Sequence, residues 1–242
     1  MSAPLFLVDT LPEVGPYTLT GPEGHHAATV QRLRPGQPLL LSDGRGGRAP
    51  AVVAGVGRGL LEVSVTERFR EPPPAPRIVV VQGIAKGDRG ELAVQAMTEV
   101  GVDEVVPWAA ARSVARWEGG RGERARARWQ ATAREATKQS RRSRVPHVTA
   151  PATTAEVAGL LAGAATALVL HEEAAVRLAA ADPAPRGDLV LVVGPEGGIA
   201  PEELAAFAAA GAVPVRLGDA VLRTSTAGVA ALAVLHTRLG HW

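Results

Sequence analysis

The sequence has no cysteine. Disulfide frameworks, thiolate metal sites, iron–sulfur clusters and thiol nucleophiles are therefore all excluded. It also has little lysine: Lys86 and Lys138 are the two lysines among 26 basic residues. With alanine so abundant, that bias reflects a GC-rich genome and says little about chemistry. No apolar run reaches the roughly 18 uncharged residues of a membrane span, and the first ten residues lack the basic-then-apolar pattern of a secretory signal. The expectation is a soluble, cytoplasmic protein. Solenoid-length repeats are absent. So are the G-x-G-x-x-G dinucleotide fingerprint, the G-x-x-x-x-G-K-[ST] phosphate loop and the G-x-S-x-G hydrolase elbow. The six histidines show no metal spacing: His25 and His26 are adjacent, and His147, His171, His236 and His241 are scattered. No metal is expected.

What is present is a core-forming composition, 46% hydrophobic and 21% charged over 242 residues, enough for one or two domains. Charge is almost balanced overall, at +2, but unevenly placed. Residues 112–144 hold eleven cations against Glu118, Glu123 and Glu135, while the rest of the chain is acidic. One basic segment on an acidic protein points to a polyanion, and nucleic acid is the commonest. The competing reading is that these arginines pair with acids elsewhere in the protein or in a dimer partner. Trp117 and Trp129 lie in no recognisable stacking module and read as packing residues.

Four prolines within Glu71–Pro76 can enter neither a helix interior nor a central strand, so this segment marks a boundary. Before it, short β-favouring runs at Thr18–Thr20, Pro38–Ser42, Ala51–Ala54 and Leu60–Thr66 are separated by glycine-rich turns, with a helix expected over Gly24–Leu33. They predict a small β-barrel over residues 1–70. After the linker at 71–76, apolar strands are expected at Arg77–Gln82, Glu104–Trp108, Ala167–Leu170, Leu189–Val193 and Val213–Leu217. They alternate with helices at Asp88–Val100, Glu123–Arg142, Thr154–Leu161, Pro201–Ala209 and Thr224–Leu239. Near-continuous Val/Leu strands between helices predict an α/β domain, 77–242, with a parallel sheet covered on both faces.

Ligands of open parallel sheets bind at the carboxyl ends of strands. Three such ends stand out: His171-Glu172 after Leu170, Gly194-Pro195-Glu196-Gly197-Gly198 after Val193, and Leu217-Gly218 leading to Leu222-Arg223-Thr224. A tight strand-to-helix turn without a ligand uses the same Gly and Pro residues, and a hydrogen-bonded structural histidine is the plainer reading of His171.

The ordered set of motifs resembles the ribosomal RNA small subunit methyltransferase E family, of the SPOUT superfamily. It runs from His25 to Gly36, through Lys86-Gly-Asp-Arg-Gly-Glu91, Glu99-Val-Gly-Val102, Lys138-Gln-Ser-Arg141 and Val145-Pro146, to Gly194–Gly198, Leu217-Gly218 and Val221–Ala227. The resemblance covers nearly the whole chain. It implies a PUA-like β-barrel, then a trefoil-knotted methyltransferase domain that works as a homodimer on N3 of a uridine in 16S rRNA of the small ribosomal subunit. It further implies S-adenosyl-L-methionine as cofactor, held by Leu170, His171, Glu172, Gly194, Pro195, Glu196, Gly197, Gly198, Leu217, Gly218, Leu222 and Thr224.

Arg223 is the implied catalytic residue, stabilising the uracil anion. An ion pair of Arg223 with Glu196 or Glu172 is the alternative. RNA contacts are expected from Arg32, Arg34, Lys86, Arg89, Lys138, Arg141, Arg142 and Arg144. The sequence departs from the family pattern at Ser225, where a glutamate is expected, at Ala220 in place of a basic residue, and at Pro4-Leu5-Phe6, where an arginine is expected. A carboxylate base at position 225 is thus not available. Other readings are a methyltransferase of the same fold acting on tRNA or a ribose 2′-OH, and a non-catalytic RNA-binding ribosome-assembly protein.

Overall fold

A computed structural model describes residues 3–242. The chain forms two compact units: one is the chain up to Pro73 together with Thr137–Val145, the other Pro74–Ala136 with Pro146–Trp242.

The first unit contains β1 (Leu5–Leu7), β2 (Gly15–Leu19), β3 (Pro38–Ser42), β4 (Gly47–Gly57), β5 (Leu60–Val65) and β6 (Phe69–Arg70). The sheet order is β1-β3-β4-β5-β2, with β6 paired to β4. Every pair is antiparallel except β1 with β3. Alternate residues of β4 and β5 are buried, the period of a sheet with one face inward, and Val53, Leu61, Val63 and Val65 join Phe6 and Leu41 in one core. β4 is longer than the expected Ala51–Ala54. The Asp43 carboxylate takes the backbone N–H of Arg45 at 2.8 Å and of Gly47 at 2.9 Å. That closes the turn early, and pairing resumes at Gly47. The helix expected over Gly24–Leu33 is split into α1 (Gly21–His25) and a π-helical turn over His26–Val30. It stops before Arg32, whose φ of 52° is left-handed.

The second unit holds β7 (Arg77–Gly83), β8 (Glu104–Trp108), β9 (His147–Val148), β10 (Thr166–Leu170), β11 (Val176–Arg177), β12 (Asp188–Val193) and β13 (Val213–Arg216). They form a sheet in the order β11-β13-β10-β12-β7-β8-β9. All its pairs are parallel. Its helices are α2 (Arg89–Val100), α3 (Gly119–Ser140), α4 (Thr154–Ala162), α5 (Pro201–Ala209) and α6 (Thr224–Arg238). The end of α3, from Thr137, belongs to the first unit.

Strand residues divide between two cores. Ile78, Val80, Leu191 and Val193 pack with Met97 of α2, Trp129 of α3 and Leu232 of α6. Val79, Val81, Val190 and Val192 pack with Leu161 of α4 and Phe207 of α5. Burial on both faces is why the strands read as unbroken apolar runs. Trp108 meets Phe207 edge-on at 5.2 Å, a geometry worth about 0.5–1.5 kcal/mol beyond area burial. Trp117 and Trp129 make a similar contact at 4.7 Å, and both pack in the core of the unit.

The parallel α/β sheet agrees with the expectation. β9 and β11, two residues each, are too short to carry a period. α3 starts at Gly119, ahead of the expected Glu123, and β13 ends at Arg216, which leaves Leu217 in a loop. Among the described residues no helix is long and apolar enough to cross a membrane, and no cluster of three His, Asp or Glu could hold a metal ion.

Candidate active site

β13, β10 and β12 are neighbours and run the same way, so the segments after Arg216, Leu170 and Val193 leave the sheet at one edge. They line a cleft of about 730 Å³, within the range of small-molecule sites. Every residue proposed from the sequence for the cofactor lines it: Leu170, His171, Glu172, Gly194 to Gly198, Leu217, Gly218, Leu222 and Thr224. Arg223 lies among them.

The 194–198 loop sits directly on the end of β7. A Cβ at Gly83 would stand 2.5 Å from the Pro195 nitrogen, so only glycine permits this approach. Gly198 closes the turn with its N–H on the Pro195 carbonyl at 3.0 Å. The Glu196 carboxylate accepts from the Lys86 N–H at 3.2 Å and from Arg89 at 3.1 Å. Burial works against its charge, but its own backbone N–H, that of Lys86 and the Arg89 guanidinium together hold its pKa below the usual carboxylate value. Glu196 is thus taken by Arg89, and among the described residues no ion pair links it to Arg223.

His171 donates its backbone N–H to Val215 at 2.9 Å. Its Nδ1 lies 3.2 Å from the Glu173 N–H and accepts from it, which assigns the ring proton to Nε2. Glu172 and Glu173 are exposed in the cleft. Also in the lining, Thr224 begins α6 and is buried, and Arg223 is exposed with no side-chain partner among the described residues. Ser225, with 5% exposure, is turned into the protein outside the cleft lining.

Arg112 and Arg216 also reach the cleft, and sequence reasoning missed both. Arg112 comes from the segment after β8 and approaches the Gly197 carbonyl at 3.4 Å. The expected strand at Glu104–Trp108 was the signal available, because its end lies on the same sheet edge. Arg216 pairs with Asp219 at 3.5 Å, and Asp219 also meets Arg177 at 3.3 Å.

The lining is suited to a compact ligand with a polar end. Leu170, Val193, Val215 and Ile199 supply apolar surface. The backbone N–H groups of Leu217, Gly218 and Leu222 make no backbone hydrogen bond among the described residues. Gly218 is the informative glycine: a Cβ there would find no protein atom within 4 Å, and its φ is not left-handed. Neither backbone nor packing demands glycine, so the missing side chain serves the space in the cleft.

The residues expected to touch RNA are not one cluster. Arg32 and Arg34 are exposed in the first unit without side-chain partners among the described residues. In the same unit Lys138 has 9% side-chain exposure and pairs with Glu23 at 3.0 Å. Arg144 donates to the carbonyls of Arg45 at 2.9 Å and Glu71 at 2.8 Å. Arg141, half-buried, has a left-handed φ of 55° and offers its carbonyl to Arg48, and Arg142 is half-buried. Lys86 and Arg89 belong to the second unit, Lys86 exposed and Arg89 on Glu196.

Comparison with known proteins adds a scale to this geometry. The model of an RNA methyltransferase domain matches residues 71–236, and that of an RNA methyltransferase PUA domain matches 19–66. The chain is 49% identical, over all of its length and 94% of the relative, to ribosomal RNA small subunit methyltransferase E of Mycobacterium bovis. It is 29% identical to the protein of that name from Bacillus subtilis, over 92% of this chain and 90% of the other. The crystal structure of ribosomal RNA small subunit methyltransferase E from Neisseria gonorrhoeae, bound to S-adenosyl methionine, superposes with a TM-score of 0.84 at 28% identity and 98% coverage of both chains.

Proposed function

Because the chain belongs to the ribosomal RNA small subunit methyltransferase E family and is an S-adenosylmethionine-dependent rRNA methyltransferase, we propose that it methylates N3 of a uridine in 16S rRNA. The observation that carries the reading is the cleft, where three strand ends bring apolar surface, unpaired backbone donors and the unpartnered guanidinium of Arg223 to one place. Residues 1–70 are assigned to RNA binding, 71–76 to a linker and 77–242 to methyl transfer, in a cytoplasmic homodimer. The order of family motifs along the whole chain supports this division.

The residues present fit the cofactor. Gly218 leaves room that no protein atom fills, Leu170 and Ile199 offer apolar contact, and Leu217, Gly218 and Leu222 offer N–H donors. S-adenosylmethionine would supply an electrophilic methyl group on a positively charged sulfur. The exposed carboxylates of Glu172 and Glu173 favour that positive charge in the cleft. The chain's remaining task is to make N3 of uracil a nucleophile, which means stabilising the imide anion as its proton passes to solvent water. Arg223 brings an unpartnered cation to the cleft, and a nearby opposite charge favours an ionised form. Arg112, also exposed at the cleft, is a second guanidinium for uracil oxygens or backbone phosphate. Positioning and electrostatics supply the acceleration in this reading, with no covalent intermediate on the protein.

Mass spectrometry of 16S rRNA nucleosides from a strain lacking the gene tests the assignment. Loss of 3-methyluridine, restored by the wild-type gene and not by Arg223→Ala, is expected. Retention of 3-methyluridine, or loss of a 2′-O-methyl or tRNA modification in its place, overturns it.

A further inference from the structure

Near its carboxyl end β7 carries a polar residue directly after a run of four apolar ones. Gln82 follows Ile78-Val79-Val80-Val81, has 0% exposure and is paired in register with Val193 on one side and Pro107 on the other. Burying a carboxamide is costly unless it is hydrogen-bonded. Its Nε2 donates to the Thr224 hydroxyl at 2.8 Å and to the Gly83 carbonyl at 3.2 Å. The Thr224 hydroxyl in turn donates to the Gly194 carbonyl at 2.7 Å. A hydroxyl has one proton, and here Gly194 has it, so Gln82 must present its NH₂ group to Thr224. The Gln82 Oε1 is left buried with no hydrogen-bond partner among the described residues. The amide is therefore held in one orientation by the Thr224 contact at the expense of its other end.

Thr224 opens α6 and Gly194 opens the 194–198 loop, and both line the cleft, whereas Gln82 does not. We propose that Gln82 is a positioning residue for cofactor binding: through the Thr224 hydroxyl it holds the start of α6 and the 194–198 loop in register at the end of β7. The inference rests on the reading of this cleft as the S-adenosylmethionine site. In a buried site such a relay is stiffer than its single bonds suggest, and losing either member leaves a buried group unpaired.

The experiment is a double-mutant cycle of Gln82→Met and Thr224→Val, both near-isosteric, read by calorimetry with S-adenosylmethionine and by single-turnover methylation. Gln82→Met is expected to bind the cofactor about tenfold more weakly, with the rate at saturating cofactor within about threefold of wild type, and Thr224→Val is expected to bind it about tenfold more weakly. The double variant should also lose about tenfold and not a hundredfold, because both changes break the same relay. Thr224→Ser, which keeps the hydroxyl, should recover most of the affinity lost in Thr224→Val. Binding by Gln82→Met within twofold of wild type, multiplicative losses in the double variant, or a reduced saturated rate with unchanged affinity each overturns the role. If Gln82→Met does not fold, the Thr224→Val and Thr224→Ser pair decides: no recovery overturns the relay. Failure of the wild-type protein to bind S-adenosylmethionine refutes the reading of the cleft itself.

Discussion

Gly218→Ala separates a glycine the protein needs from one its ligand needs. A Cβ at Gly218 meets no heavy atom within 4 Å and its backbone is not left-handed, so the folded state tolerates the methyl group. Replacing glycine where the backbone permits it stabilises by about 0.4–1 kcal/mol, chiefly by restricting the unfolded chain. For a protein of this size about 1 kcal/mol corresponds to roughly 2–4 °C in Tm. The expected Tm is therefore unchanged or slightly raised. Binding should respond in the opposite direction, because the methyl group intrudes on the cleft at the residue that leaves it open. Overpacking costs about 1–3 kcal/mol, which is about 5- to 150-fold in Kd for S-adenosylmethionine. Gly197→Ala is the contrast, since its Cβ would lie 2.7 Å from the Arg112 carbonyl oxygen; it should lower Tm. Thermal melts and calorimetry on both variants check the pair. A Gly218→Ala protein that melts several degrees lower, or that binds the cofactor as well as wild type, refutes the reasoning.

Arg223→Ala should lower the single-turnover methylation rate by on the order of 10²-fold with cofactor affinity nearly intact, and Arg223→Lys should restore only part of it, since a point charge lacks the planar two-donor face. Weakened cofactor binding with a normal saturated rate would place the guanidinium in the loop scaffold instead. Arg32 and Arg34, exposed and unpartnered, should set RNA affinity: replacing each by Ala flattens the dependence of log K on log salt by up to about 0.9 unit per lost phosphate contact on a duplex. Alanine is chosen over glycine at Arg32 because its φ of 52° would make glycine a backbone change as well, and an unchanged slope would end their role. Burial opposes ionisation of Asp43, but the N–H groups of Arg45 and Gly47 and the Arg70 guanidinium outweigh it and lower its pKa below 3.8. A carboxylate depressed in the folded state stabilises fully above its unfolded pKa and loses that contribution as pH falls through the folded value. Asp43→Asn should therefore be less stable than wild type at pH 6, by urea titration, with the gap narrowing below about pH 4; a gap independent of pH contradicts this.

Periodicity and punctuation made the second unit legible. Ile78–Val81 and Leu189–Val193 are strands buried on both faces, and no other role suits four or five consecutive branched apolar residues beside helices. Pro201 starts α5 and Gly101, with a φ of 119°, ends α2, and each is a local stop or start that a sequence displays. β9 and β11 were not legible, because two residues make no period. β4 outran its expected length because Asp43 closes the turn before it, a side-chain contact that composition does not announce.

The same division holds at the cleft. Glycine at 194, 197, 198 and 218 after apolar strands marks backbone that something must approach, so those residues could be found by local reading, and the family resemblance named the ligand. Pairing across the chain was beyond it. The basic segment read as one surface, yet the structure ties Lys138 to Glu23 and Arg144 to the carbonyls of Arg45 and Glu71. It gives Glu196 to Arg89, which leaves Arg223 without a carboxylate, and it links Gln82 to Thr224 across 142 positions. Apolar spacing, glycine and proline act on neighbouring residues, so the sequence by itself determined the five long strands of the second unit, most helix limits and the loops of the cleft. Hydrogen bonds and ion pairs depend on distance in space, so which cations remain free for RNA or substrate was decided only by the tertiary structure.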